Sequence, residues 1–398
     1  MSDERPSPVR VLIAGAGIAG LETALALRAF ARDLVRVEAL EPGGDLMLAA
    51  ESTAHPFGRA SRPLALAPLA ERAGVRLRRG RLEEVRPDEG IVRTDRGEAI
   101  GYDRLVIATG ARAVPVLEGA VTFSGPGDVA ALRRMLTRIV QGGRRGLHTR
   151  LAFVVPAGAG WPLAAYELAL QTARLLARRG VRPLVSLTIV TSEDAPLAVF
   201  GTRASEAVAS DLARAGIEIR TGAVVRDWSW GRLALVPDGA VAVDRVVAIP
   251  AQRGPAIPGL PSDSLGFVRA GSDCRVAGAP DVFVVGDAGP FPVKQGGIAC
   301  QQADAVASLI ARELGAAVDA IPFEPVLRGW LWDGDHGRFM RADLPGGRDE
   351  STGVTSREQP LWSPSGKVAC RFLSAFLRDD PAAAPMADRI VSLEAPSR

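Results

Sequence analysis

At 398 residues the chain is long enough for two or three domains and a large buried core, and its 47% apolar and 23% charged residues are those of an ordinary globular protein. A net charge of +3 is too small to point to nucleic acid, and runs such as Arg76-Leu77-Arg78-Arg79 and Arg144-Arg145 read as solvated faces. The three cysteines (Cys274, Cys300, Cys370) and three histidines (His55, His148, His336) are scattered, which leaves no local redox pair and no legible metal site.

The N-terminal MSDERPSPVR lacks a signal-peptide pattern, and no apolar run is long enough to span a membrane, so a cytoplasmic location is expected. From Val9 to Arg28, VRVLIAGAGIAGLETALALR reads as a short apolar strand, the turn Gly15-x-Gly17-x-x-Gly20 and a helix. Gly15 permits the tight turn, Gly17 leaves room for a pyrophosphate, and Gly20 lets the helix pack close to the strand. The N–H groups at the helix start, from Ile18 and Ala19, then face the phosphates. A second strand, VRVEALEP, ends in Glu41-Pro42 about 20 residues on, where an acid accepts hydrogen bonds from a ribose. A third, in YDRLVIATGARAVPV, is buried and ends at Ala108-Thr109-Gly110.

Beyond the Pro/Gly-rich crossing SGPGDVAALRRML and a surface loop, QGGRRGLHTR, LAFVVPAGAGWPLAAYELALQTARLL has the strand and helix of another nucleotide-binding unit. Its loop departs from the pattern. Pro156 stands where the first glycine belongs, and Trp161-Pro162 follow Gly158 and Gly160. Either the loop excludes pyrophosphate, or Pro162 merely starts the helix and the two glycines form a different cradle, with Glu193 at the next strand end as ribose acceptor.

A second crossing, IPAQRGPAIPGLP, leads to VFVVGDAGPFPVKQGGIACQQADAV. There a buried strand ends in Gly286-Asp287, and Lys294-Gln295-Gly296-Gly297 open a helix. Lysine occurs only twice in the chain, at Lys294 and Lys367, so the one inside this motif is less expected to be filler. The ends of the first, third and last strands are expected to converge on the carboxyl edge of one parallel sheet. The fold class is α/β with two Rossmann-like units, the second inserted in the first. One runs from the N-terminus to about Pro126 and from about Ala251 to Glu324, the inserted unit covers 127–250, and 325–398 form a C-terminal portion.

In that portion Trp330 and Trp332 alternate like strand residues and either wall a flat pocket or pack in the core, and His336 is either an acid–base group or solvated. Lys367, Arg371, Ser374 and Arg378 share one face of an expected helix, and Val368, Phe372, Leu373, Phe376 and Leu377 share the other. Such a helix either lies in a membrane interface, with Trp362 upstream, or docks on the first unit.

Over roughly Val9 to Ala311 the chain resembles the two-dinucleotide-binding-domain flavoproteins of the pyridine nucleotide-disulfide oxidoreductase superfamily. The resemblance is greatest to the sulfide:quinone oxidoreductase and type II NADH dehydrogenase branch, and GAGIAGLETALAL, YDRLVIATG and VFVVGDAGPFPVKQGGIACQQAD carry it. It implies non-covalent FAD, with Asp287 on the ribityl chain and Lys294, Gln295 and Gly296 against the isoalloxazine. There a cation and a helix N-terminus favour the anion formed on reduction. Sulfide:quinone oxidoreductases work through cysteines beside the flavin, and Trp161 stands at the position matching one of them. Cys300 is the one cysteine near the flavin motifs, and a single thiol lacks the partner that thiol–disulfide cycling needs.

Lys294, Cys300 and Trp161 are thus the candidate catalytic positions. The expected function is an FAD-dependent oxidoreductase passing electrons from a small reduced donor to a quinone-like acceptor. The alternatives are an NAD(P)H-dependent reductase, like NADH dehydrogenases or ferredoxin reductases, and a flavin-binding redox sensor without turnover. A homodimer and a peripheral contact with the inner face of the plasma membrane remain open.

Overall fold

The computed structural model describes residues 7–344 (save 60 and 238), 353–380 (save 358, 364 and 365), 383, 386 and 390–392. The first unit begins with β1 (Val9–Ala14), α1 (Ile18–Ala31), β2 (Val35–Glu41), β3 (Arg76–Arg79) and β4 (Arg104–Ile107). The inserted unit contributes β5 (Val121–Thr122), β6 (Thr149–Val155), α2 (Leu163–Arg178), β7 (Val185–Thr191), β8 (Ile217–Arg220) and β9 (Arg245–Ala248). The chain then returns through β10 (Val282–Val284) and α3 (Gly296–Glu313).

One five-stranded sheet has the order β10-β4-β1-β2-β3 and the other β5-β9-β6-β7-β8. Every neighbouring pair in both is parallel. Val11 to Ala14 and Leu151 to Val155 are buried without interruption, as strands covered on both faces require. Two short segments that cross between the units, Arg112–Val114 and Ala251–Arg253, pair antiparallel and tie the crossings together. Val121–Thr122 already pairs with Val247–Ala248, so the second sheet starts before Pro126.

Because β1, β4 and β10 are adjacent and parallel, their carboxyl ends do meet at one edge, as the sequence leads one to expect. Helices α1 and α3 start at that edge and pack along each other, with Leu21, Leu27, Val306 and Ile310 in a shared core. Each such side chain contributes about 2 kcal/mol by burial, and here that apolar contact fixes where both helix N-termini point.

The C-terminal portion opens with the hairpin β11 (Val326–Trp332) and β12 (Gly337–Asp343). Leu327 and Leu331 join the core of the inserted unit, while Arg328, Trp330 and Trp332 lie half-buried on the opposite face. The continuous helix expected through Lys367–Arg378 is not formed. Val368–Cys370 is a strand, β13, paired with Ile390–Ser392, and only Leu373–Arg378 is helical, as α4. The backbone N–H groups of Arg371, Phe372 and Leu373 donate to the Glu22 carboxylate at 2.5, 2.8 and 2.7 Å, and that demand overrides the helical pattern. Leu373 and Leu377 are buried in the core of the first unit, so this apolar face docks on the protein itself. Lys367, placed on the polar face by the sequence pattern, is 8% exposed in its side chain. No helix among the described residues is long and apolar enough to cross a membrane.

Candidate active site

The three glycines after β1 do different work. A Cβ on Gly15 would strike the Ala108 carbonyl, and one on Gly20 would strike the carbonyl of Gly15, so both exist for close backbone approach. A Cβ on Gly17 would meet nothing within 4 Å. That glycine alone guards open space in front of the first turn of α1, which begins without a side-chain cap and leaves its first N–H groups available. Glu41 closes one flank, its Oε2 accepting from the Ala16 N–H at 2.8 Å. The backbone of Ala108 is tied to Ala14 at 2.7 Å, and Gly110 turns away with φ +72° into open space. Pro42 and Thr109 sit at the same strand ends. Gly286 is fixed by its N–H to Gln302 Oε1 at 2.7 Å, which sets Asp287 at the mouth of a cavity.

That cavity, about 210 Å³, lies where both units and the C-terminal portion meet. Its walls include Trp161 and Glu167 from the inserted unit, Asp287, Lys294, Gln295 and Gly296 from the first, and Arg328, Trp330 and Lys367 from the C-terminal portion. Lys294 is buried, donates from Nζ to the Gly289 carbonyl at 2.6 Å and lies 3.9 Å from the Phe267 ring centroid. Burial pulls its pKa down to about 8 against the attraction of Asp287. Asp287 is in turn pushed up by burial and drawn back by Lys294, and no described residue donates a hydrogen bond to its carboxylate. Gln295 caps α3 by accepting from Ile298 N–H at 3.2 Å and donates to the Arg328 carbonyl at 2.8 Å, joining the helix start to β11.

The other lysine was the missed site residue. Lys367 Nζ lies 2.6 and 2.7 Å from the two oxygens of Glu167, which also accepts from Thr53 Oγ1 and the Trp332 N–H, each at 2.8 Å. Both lysines of the chain therefore line one cavity. The rarity of lysine was a signal for Lys367 as much as for Lys294. Burial pushes Glu167 up, and the Lys367 ammonium opposes that shift.

Cys300 is wholly buried within α3 and is not among the residues lining the cavity. Its neighbour is Cys370 on β13, a pairing that sequence distance concealed. The two sulfurs and a Glu22 oxygen lie within 4.8 Å of one another, which among the described residues is the only group that could hold a metal ion. Glu22 is already committed to three backbone N–H groups, and burial pushes both thiols up. His336 is exposed at the hairpin turn, outside the cavity, whereas Trp330 stacks on Phe339 with a 7° angle between rings and walls it.

The loop of the inserted unit is filled by its own neighbours. Trp161 meets Phe200 edge-on, with ring centroids 5.8 Å apart. The Gly160 carbonyl accepts from the Lys294 N–H at 2.9 Å, and a Cβ on Gly160 would run into the Lys294 side chain. Glu193 Oε2 accepts from Tyr166 Oη at 2.7 Å and Thr191 Oγ1 at 2.9 Å, so the expected ribose acceptor is turned inward.

Residues 9–304 match the model of a family described as pyridine nucleotide-disulphide oxidoreductase. An NADH dehydrogenase-like protein of Mycobacterium tuberculosis is 31% identical over 297 residues, which cover 70% of this chain and 72% of that protein. Among solved structures, the sulfide:quinone oxidoreductase of Aquifex aeolicus superposes with a TM-score of 0.76 at 20% identity, covering 88% of this chain and 87% of its own. A ferredoxin reductase of Rhodopseudomonas palustris gives a TM-score of 0.64, also at 20% identity, covering 86% and 84%. At these identities the two structures speak to the fold.

Proposed function

We propose, from the premise that this chain belongs to the pyridine nucleotide-disulphide oxidoreductase family and is an FAD-dependent oxidoreductase, that it takes electrons from a small reduced donor other than NAD(P)H and passes them to a flat, quinone-like acceptor. The residues present fit FAD, held without a covalent bond. The open space at Gly17 before the uncapped helix start suits a pyrophosphate, Glu41 a ribose, and the Asp287 carboxylate a sugar alcohol. Once bound, the flavin supplies the two-electron chemistry.

The protein's own groups orient and charge the cavity. Gln295 and Gly296 present the N-terminus of α3, and Lys294 supplies a buried cation, both favouring negative charge nearby. The Lys367–Glu167 pair holds a proton within reach of the cavity, and Trp161 and Trp330 give it flat apolar walls that exclude water.

The observation that favours a donor other than nicotinamide is the second loop clamped onto Lys294 at Gly160, with Glu193 drawn inward beside it by Tyr166 and Thr191. The second reading, an NAD(P)H-dependent reductase, rests on the name of the mycobacterial relative. Stopped-flow mixing of the oxidised holoprotein with NADH, NADPH and a panel of small reductants under nitrogen tests the choice. Slow, non-saturating bleaching by both nucleotides is expected. Saturable bleaching at micromolar NADH would replace the first reading by the second. A protein that no donor reduces and no acceptor reoxidises would be a sensor instead.

A further inference from the structure

The titratable groups lining the cavity are three cations and two carboxylates: Lys294, Arg328 and Lys367 against Glu167 and Asp287. Lys367 is spent on Glu167 at 2.6 Å, and Lys294 is coupled to Asp287. Arg328 is left over. Its backbone carbonyl is used by Gln295, but among the described residues no carboxylate or hydrogen-bond acceptor meets its guanidinium. The residue directly opposite across the hairpin is Arg341, a like charge whose own partner is Asp343 at 3.1 Å. Like charges facing each other across strands are unfavourable. Burial pulls Arg328 down to about 10, Arg341 adds to that fall, and Asp343 opposes it without a hydrogen bond. By its lining residues the cavity thus holds one cation more than it has carboxylates, in walls where Phe123, Trp161, Leu163, Ile249 and Trp330 stand beside the polar Ser52, Thr53, Ser124 and Gln252.

We propose that Arg328 anchors the carboxylate of the donor, and that the donor is a flat organic monoanion. This rests on the reading of the cavity as the redox site. A guanidinium matches a carboxylate with two parallel N–H···O bonds, which also fixes the orientation of what the carboxylate carries. One spare charge selects a monoanion, because a second negative charge would lie against Glu167 and Asp287 without compensation. The apolar walls then favour a planar body over a small hydrated ion.

The test titrates the holoprotein with benzoate and with benzamide, its uncharged counterpart of like shape, following the visible flavin absorption. Benzoate is expected to saturate at concentrations at least about tenfold lower than benzamide, the order of one charge-assisted hydrogen bond. Arg328→Gln should abolish that preference at unchanged flavin content, and Arg328→Lys should keep part of it. Equal binding of the two probes by the wild-type protein, or a benzoate preference that survives in Arg328→Gln, overturns the proposal. So does an Arg328→Gln variant whose flavin midpoint potential moves while its benzoate titration does not, since the guanidinium would then serve the cofactor. Failure of the functional reading looks different: no donor reduces the flavin, yet benzoate still binds through Arg328.

Discussion

Lys367 and Glu167, 200 residues apart in the chain, form a buried ion pair in which one ammonium reaches both carboxylate oxygens, at 2.6 and 2.7 Å. The pair links the C-terminal portion to the second turn of α2 across the wall of the cavity. Removing one partner strands the other, so Lys367→Met should cost about 3–5 kcal/mol. The double variant Lys367→Met/Glu167→Gln should recover most of that loss. The pH dependence has a definite sign. A carboxyl whose folded pKa is raised contributes stability below its ordinary value, near 4.5, and loses it as pH rises through the folded value. Without Lys367 that raised value climbs further, so Lys367→Met should lose more stability than wild type on going from acid to neutral pH. Urea unfolding of the three proteins at two pH values measures both effects, and additive losses would dissolve the pair.

Gly17 and Gly20 separate ligand space from fold. Gly17→Val should fold with stability within about 0.5 kcal/mol of the flavin-free protein, since its side chain enters open space, but emerge colourless. Gly20→Ala drives a Cβ into the Gly15 carbonyl and should fail to fold as a soluble yellow protein. Flavin content and circular dichroism report on each. A fully yellow Gly17→Val would remove the pyrophosphate from that turn.

Lys294→Met should lower the midpoint potential of the bound flavin, because a buried cation no longer offsets the charge gained on reduction. A screened effect of about 1.4 kcal/mol corresponds to about 30 mV for two electrons. With the Lys294 pKa near 8, the gap between variant and wild type should shrink as pH rises through that value. An identical potential at neutral pH would mean the ammonium serves Gly289 and Phe267 alone.

The carboxyls of Glu22 and Asp304 share a buried site, and Asp304 is pushed up to about 8 by burial and by Glu22, with Arg371 opposing. The native state thus keeps a proton that the unfolded chain releases from about pH 3.8, so stability should fall with rising pH and lose this contribution through about 8. The limiting slope is about 1.4 kcal/mol per pH unit. Asp304→Asn should remove that slope, so the difference between variant and wild type should change steadily between about pH 5 and 8. Parallel stability profiles over that range would show that the two carboxyls do not share a proton.

The first unit is legible in the chain alone, because its signals are local. Continuous apolar runs made the parallel strands, and the three-glycine turn, Glu41 and Gly286-Asp287 each sit at the strand end where backbone geometry demands them. Once three parallel strands are granted, the convergence of their ends follows from sheet topology alone. The irregular loop from Pro156 to Pro162 was equally visible, although its meaning was not. That Tyr166 takes Glu193 and that Gly160 lies against Lys294 follows from long-range packing, since side chains far apart in sequence must compete for the same space and the same hydrogen bonds. The C-terminal portion departs from its sequence pattern for the same reason. Its 3.6-residue pattern argued for one amphipathic helix, but Lys367 is claimed by Glu167, and the backbone from Arg371 to Leu373 by Glu22. The attraction of two buried carboxylates for distant donors outweighs a helical preference worth only tenths of a kcal/mol per residue, and no local reading of the chain contains those carboxylates.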